Sequence, residues 1–407
     1  MGPRTHRANA APGERGGYGD PPRKHAKLSR YKHMTPRERY VETLTFGTPD
    51  RVPFSPGGPR ESTLAAWHAQ GLPPGADWFA HLLDVLGIER EPAGPPADLG
   101  VDFRMIPQFP ERVLERRGRH LVVQDWKGNV CEISDRYDAT YLRVPKDFVT
   151  RRWLRCPVTG RDQWQAMTAR YAVDAPGRFP PDFAQRAAAA RDRRGVLAIS
   201  FPGPFWQMRE WCGLEPLCIL MIEQPAWVDE MAAFWADFVA AVLERVLAAV
   251  VPDMVHVSED MAYKAHPMIS PAMTRRFLVP AYERWSGLAR RAGVPLVGMD
   301  SDGCVADLVP IWIASGINVC DPMEVAAGND LVAYRQRFGR AMAYQGGVDK
   351  RAIAKGGRAM RDELARLEPV VRDGGYIPGC DHGVPADVSW PAFVDYARRL
   401  AGLTGWL

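Results

Sequence analysis

The chain has 407 residues and a formal net charge of only +4, and 46% of it is apolar, enough for a sizeable core. No apolar run is long enough to span a bilayer, because Val239–Val251 is broken by Glu244 and Arg245. No signal-peptide pattern opens the chain either, so the expected location is the cytoplasm, with no membrane partner. Seven cysteines, an odd number with no CxxC, exclude a disulfide framework.

Residues 1–33 are rich in Arg, Lys, Gly, Pro and Ala and lack apolar periodicity, which predicts a disordered basic tail. No aromatic interleaving accompanies these charges, so no nucleic-acid partner is expected. Order begins at Thr35-Pro36-Arg37-Glu38, where Thr, Pro and Glu spell a capping box and an N1 proline. Two more helical patterns follow around Leu64–His68 and Trp78–Leu86. From about 100 to 156 the pattern changes. Val113-Leu114, His120–Val123, Val130–Ile133 and Tyr141–Val144 alternate with charged turns and predict an inserted antiparallel meander. Asp162–Ala169 reads as a short helix, and Arg170–Pro181 as a connection.

From Gly195 the pattern is regular. Val196–Phe201 predicts a buried strand, and Pro225 to about Val250 a long helix with Val228, Met231, Phe234, Trp235, Phe238, Val242 and Val246 at helical spacing. After that, one short apolar run after another breaks at polar residues. Met254–Ser258 meets Glu259-Asp260, Pro295–Met299 meets Asp300-Ser301-Asp302, and Ile317–Cys320 meets Asp321. Ala341–Tyr344 meets Gln345–Asp349, and Tyr376–Gly379 meets Cys380-Asp381-His382. Helical patterns separate them near 271–292, 304–315, 329–338, 350–372 and 390–401. Strands alternating with helices predict a parallel sheet, and polar groups at successive strand ends are how a (β/α)8 TIM barrel builds a site. The predicted fold is therefore α/β: one such barrel over 34–407, with an N-terminal helical extension and the small inserted β meander.

Asp300 and Asp302 lie two apart, on one side of an extended backbone, and paired carboxyls either share a proton or hold a cation. The bland alternative is a helix cap at Asp302-Gly303. Cys380, Asp381 and His382 place thiol, carboxyl and imidazole side by side, a metal-ligand chemistry without any zinc-finger spacing. Glu259 and Asp260 are candidate acids or bases, with Tyr263 and Lys264 beside them as candidate substrate contacts. Arg60 and Trp206 are candidates for holding a ligand's anion and its apolar part. His256, between Val255 and Val257, reads as a packed core histidine, and Asp321, Glu324 and Asp349 as caps or rim charges. No GxSxG, GxGxxG or GxxxxGK[ST] occurs, which argues against a serine hydrolase, a dinucleotide sheet and a P-loop.

These residues also carry a resemblance. Met34-Thr35-Pro36-Arg37-Glu38-Arg39 with Pro49-Asp50-Arg51-Val52-Pro53 resembles the opening of the uroporphyrinogen decarboxylase superfamily. Ile269-Ser270-Pro271, Asp300–Gly303, Pro322-Met323-Glu324, Gly346–Lys350 and Tyr376–Pro385 resemble the C-terminal half of its methyltransferase-like branch. The resemblance implies the same barrel and one of two chemistries. One is metal-free decarboxylation of a polycarboxylate. The other is zinc-dependent methyl transfer between a corrinoid, carried by a partner protein, and a thiol-type acceptor. The decarboxylases' Arg-Gln-Ala-Gly-Arg segment has no counterpart, Pro59-Arg60-Glu61-Ser62 being nearest. The methyltransferases' His-x-Cys pair falls on Asp300 and Asp302, and their later Cys on Cys380. The leading expectation is thus a metal-assisted methyltransferase acting on a small molecule. Asp300, Asp302, Cys380 and His382 would hold zinc or another divalent metal, and a corrinoid would donate the methyl group. A metal-free decarboxylase and a non-catalytic tetrapyrrole-binding barrel are the alternatives.

Overall fold

The computed structural model describes residues 33–92, 97–143, 147 and 151–407. Residues 1–32 of the expected 1–33 basic tail, and Val144 at the end of an expected strand, lie outside the described residues. The first helix, Pro36–Leu44, starts where the sequence places it. Thr35 Oγ1 accepts from Glu38 N at 3.2 Å, and Glu38 Oε2 accepts from Thr35 N at 2.8 Å. Arg39 of this helix is buried and bonds Asp50 and Glu91, each at 2.7 Å. A buried guanidinium needs such partners, so Arg39 and Asp50 of the family-like opening are structural clamps.

A four-stranded antiparallel sheet follows in the order β1 (Arg112–Arg117), β2 (His120–Gln124), β3 (Val130–Ser134) and β4 (Arg151–Arg155). This is the expected meander, with one correction. Ala139–Leu142 is a 3-10 turn, in which Asp138 caps the backbone N–H of Tyr141 at 3.0 Å, and β4 supplies the fourth strand instead. β4 reads Arg-Arg-Trp-Leu-Arg and is largely exposed, so it carries no apolar alternation to read.

The main sheet has six parallel strands in sequence order: β5 (Ala198–Pro202), β6 (Met254–Ser258), β7 (Leu296–Asp300), β8 (Val319–Asp321), β9 (Ala343–Val348) and β10 (Tyr376–Cys380). Outward-facing residues pack against helices. The longest helix, Pro225–Ala249, buries Val228, Met231, Trp235, Phe238, Val242 and Val246, as its spacing predicts. Inward-facing residues Met254, Leu296, Val319, Ala343 and Ile377 form a separate cluster with Leu44, and Tyr40, Phe46 and Val52 pack on it. The first helix therefore plugs the N-terminal end of the strands and leaves their C-terminal ends to the site. Among the described residues, no helix is long and apolar enough to cross a membrane.

The expected eight-stranded closure is not seen among the described residues. Beyond β10 the chain around residues 55–60 continues the sheet irregularly. Cys380 N donates to Pro56 O at 3.3 Å, Val384 N to Gly58 O at 2.8 Å, and Arg60 N to Val384 O at 3.2 Å. Pro53, Pro56 and Pro59 remove every third donor, which explains why a strand-like segment makes no regular ladder. The approach is close, since a Cβ on Gly379 would lie 2.3 Å from Ser55 O. Beside β5, Phe103 and Phe201 touch ring to ring at 5.1 Å.

Candidate active site

Side-chain alternation along β6, β7 and β8 turns Met254, His256, Ser258, Leu296, Asp300 and Asp321 to one face. The apolar members sit deep against the plug, and the polar members stand above them. His256 Nε2 lies 3.0 Å from Asp321 Oδ2, two strands away. The imidazole crosses β7 at Gly298, where a Cβ would come within 2.6 Å of its Cδ2. Asp300 stands beside this pair, in register with Ser258 of β6. Ser200 of β5, in register with His256, is exposed, so this polar layer is reached by solvent.

Burial and then the charge of Asp321 push the Asp300 carboxyl up to about 7, with Asp302 adding to it and His256 opposing. Burial works against the charged form of His256, but the hydrogen bond and charge of Asp321 outweigh it and hold the imidazole above its ordinary value. A carboxyl poised near neutrality beside a histidine–aspartate pair can take up or release a proton at physiological pH.

A second polar layer forms the rim. Asp302 Oδ1 bonds His382 Nε2 at 2.9 Å, and His382 Nδ1 lies 3.4 Å from Lys350 Nζ. Lys350 reaches Glu324 at 3.4 Å and the buried Asp381 at 3.8 Å. Across the mouth, Asp260 pairs with Arg209 at 3.1 Å, and Arg209 stacks on Trp206 at 4.5 Å. Asp260 has a backbone φ of +41°, a conformation uncommon for a non-glycine residue and costly unless its surroundings hold it. Burial raises its carboxyl above the usual range despite Arg209, with Asp302 contributing.

The sequence-predicted residues thus divide. Asp300, Asp302, Asp260 and His382 come together at the strand mouth. Trp206 lies beside them, and Arg60 flanks the β10 end, where a Cβ on Gly383 would be 3.4 Å from its Cγ. Tyr263 and Lys264 are exposed, on a turn closed by an Ala262–Pro267 bridge, away from the inner pair. Glu259 points the other way from Asp300. It is fully buried, accepts from Trp206 N at 3.0 Å and from the Tyr282 hydroxyl, and caps the helix Pro204–Cys212 from below. Burial raises it to about 7.

The four residues expected to hold a metal are not brought to one point among the described residues. Cys380 lies on the same face of β10 as Tyr376, in the core beneath the helices, whereas Ile377 belongs to the inner cluster. Burial pushes its thiol up to about 12. Asp302 engages His382, and among the described residues no three His, Cys, Asp or Glu side chains converge as a metal would require. This donor set does not fit zinc.

His256 and Asp321 were missed as site residues. In a strand buried on both faces, alternation with valine cannot tell an inward histidine from a packed one. The register Asp300↔Asp321 is the signal that finds them, and it exists only once the strands are paired.

No family model matches the chain, and neither does any curated protein. The fold is similar to that of a solved methyltransferase from Methanosarcina mazei, at a TM-score of 0.51 and 13% identity over 90% of this chain and 98% of that one. That likeness, over nearly the whole of both chains, shows a shared fold. A B12-independent methionine synthase from Shewanella sp. W3-18-1, in complex with selenomethionine, aligns at a TM-score of 0.36 and 12% identity over 55% of this chain and 65% of that one, too distant to argue from.

Proposed function

We propose that the chain is an enzyme of the methyltransferase type, moving a methyl group from a corrinoid or another donor to a small-molecule acceptor bearing an acidic X–H group, such as a thiol. The observation that carries this reading is the Asp300 carboxyl at about 7 beside the His256–Asp321 pair, at strand ends open to solvent. Asp300 takes the acceptor's proton as the X–H bond breaks. The freed electron pair forms the new X–CH3 bond, and the donor leaves with the electrons of the broken methyl bond. His256, held by Asp321, supplies the positive charge that balances ionised Asp300. Proton removal by Asp300 takes the place of thiolate formation on a metal, a reading supported by the lack of three converging His, Cys, Asp or Glu side chains among the described residues. The shared fold and the family-like motifs support methyl transfer without naming the acceptor.

A second reading is a metal-free carboxy-lyase. It is favoured by the same carboxyl, which at neutral pH is partly protonated and could hand a proton to the carbanion left by departing carbon dioxide. Purified protein offered methylcobalamin and a panel of thiols, and separately polycarboxylates, distinguishes the two. Methylated thiol formed by wild type, and lost by about a hundredfold or more in Asp300→Asn, supports methyl transfer. Carbon dioxide release without methyl transfer supports the lyase. Methyl transfer undiminished in Asp300→Asn sinks the proposed role.

A further inference from the structure

A cavity of about 620 Å³ opens beside the mouth, between β4 of the inserted meander and the helices Pro204–Cys212 and Leu214–Glu223. This volume falls in the range of small-molecule sites. Arg151, Trp153, Leu154 and Arg155 of β4, where the pairing with β3 shifts register, line one wall, and Trp206, Arg209 and Asp260 line the wall shared with the mouth. Arg209 is occupied by Asp260, but among the described residues neither Arg151 nor Arg155 has a carboxylate partner. Arg151 lies over the Trp153 ring at 4.9 Å, and Trp153 is itself 43% exposed. Two guanidinium forks without a carboxylate partner and two indoles thus face one concave space, whose carboxylates besides Asp260 are Glu210, held by Lys127 at 2.7 Å, and Glu215, which is exposed.

We propose that this cavity binds a planar, apolar molecule carrying a carboxylate or phosphate. Arg151 and Arg155 take the anionic group in forked hydrogen bonds, and Trp153 and Trp206 flank the flat part. A molecule so held lies against Asp260, at the edge of the proton-handling groups. The site rests on the cavity alone and holds whether or not the barrel transfers a methyl group.

Calorimetric titration of the full chain with naphthoate, naphthyl phosphate and neutral naphthol tests this. Both anions are expected to bind, naphthol at least about tenfold more weakly, and Arg151→Gln/Arg155→Gln to weaken the anions by at least about tenfold. A preference between carboxylate and phosphate identifies the natural anion. The distant, exposed Arg358→Gln serves as the control and is expected to bind as wild type does. Thermal melting of the double variant at the wild-type temperature shows that its fold is intact; both arginines lie on a surface strand. Equal binding of naphthol and the anions, unchanged binding in the double variant, or no binding of any probe overturns the proposal.

Discussion

His256 and Asp321 lie on strands two apart yet bond at 3.0 Å, because glycine at 298 leaves the intervening strand bare. The pair sits between the apolar plug and the rim, so its charge acts on Asp300 at short range. Asp321 raises both neighbours, favouring the protonated form of His256 and of Asp300 alike.

Asp321→Asn should therefore lower the His256 pKa toward or below its ordinary value, read by NMR titration of the imidazole. Because the folded value is raised, the pair stabilises the fold fully below the ordinary histidine value. That stabilisation is lost as pH rises through the folded value. An unchanged imidazole titration in Asp321→Asn contradicts the assignment.

Gly298→Ala places a Cβ 2.1 Å from Met254 Cε and 2.6 Å from His256 Cδ2. Something must move, at about 1–3 kcal/mol of stability. The imidazole is expected to swing off Asp321, so urea denaturation and the histidine titration should both change. A variant of wild-type stability with an unshifted histidine would remove Gly298 from the account.

Glu259 is buried and raised to about 7, so the folded state holds its proton longer than the unfolded chain does. Stability should then fall as pH rises from the ordinary glutamate range through about 7. Glu259→Gln keeps an acceptor for the Trp206 N–H and removes the titration. Comparing urea midpoints at mildly acidic and mildly alkaline pH, the variant should lose roughly 2–3 kcal/mol less than wild type. Parallel pH profiles would show that Glu259 does not titrate in this range.

Cys380 packs in the core, on the face opposite the inner cluster, so Cys380→Ala should cost about 1 kcal/mol of stability and leave turnover close to wild type. Chelator treatment should leave turnover unchanged for the same reason. Loss of activity in both experiments, with the fold intact by circular dichroism, would restore Cys380 as a metal ligand.

The elements were legible wherever one face differs from the other. The Thr35–Glu38 capping box and the apolar stripe of 225–249 read directly from residue spacing. The proline-broken stave near 53–60 and the arginine-rich β4 carry no such contrast, so their strand character emerges only from partners. The same limit governs the site. Asp260, Asp300, Asp302 and His382 announce themselves as polar residues where apolar runs stop. In a parallel strand buried on both sides, however, sequence does not say which parity faces the axis. That is why Cys380 and Glu259 were expected inside and lie outside, and why His256 was expected in the core and faces the site.

The most direct test is the ionisation of Asp300 itself, followed by the carboxyl stretch in infrared difference titration. Wild type should show a carboxyl titrating at about 7 that is absent in Asp300→Asn, retained in Glu259→Gln, and shifted to lower pH in Asp321→Asn, where the neighbouring charge is gone. If Asp300 instead titrates in the ordinary aspartate range, and Asp321→Asn leaves it unmoved, the proton-handling site proposed here does not exist.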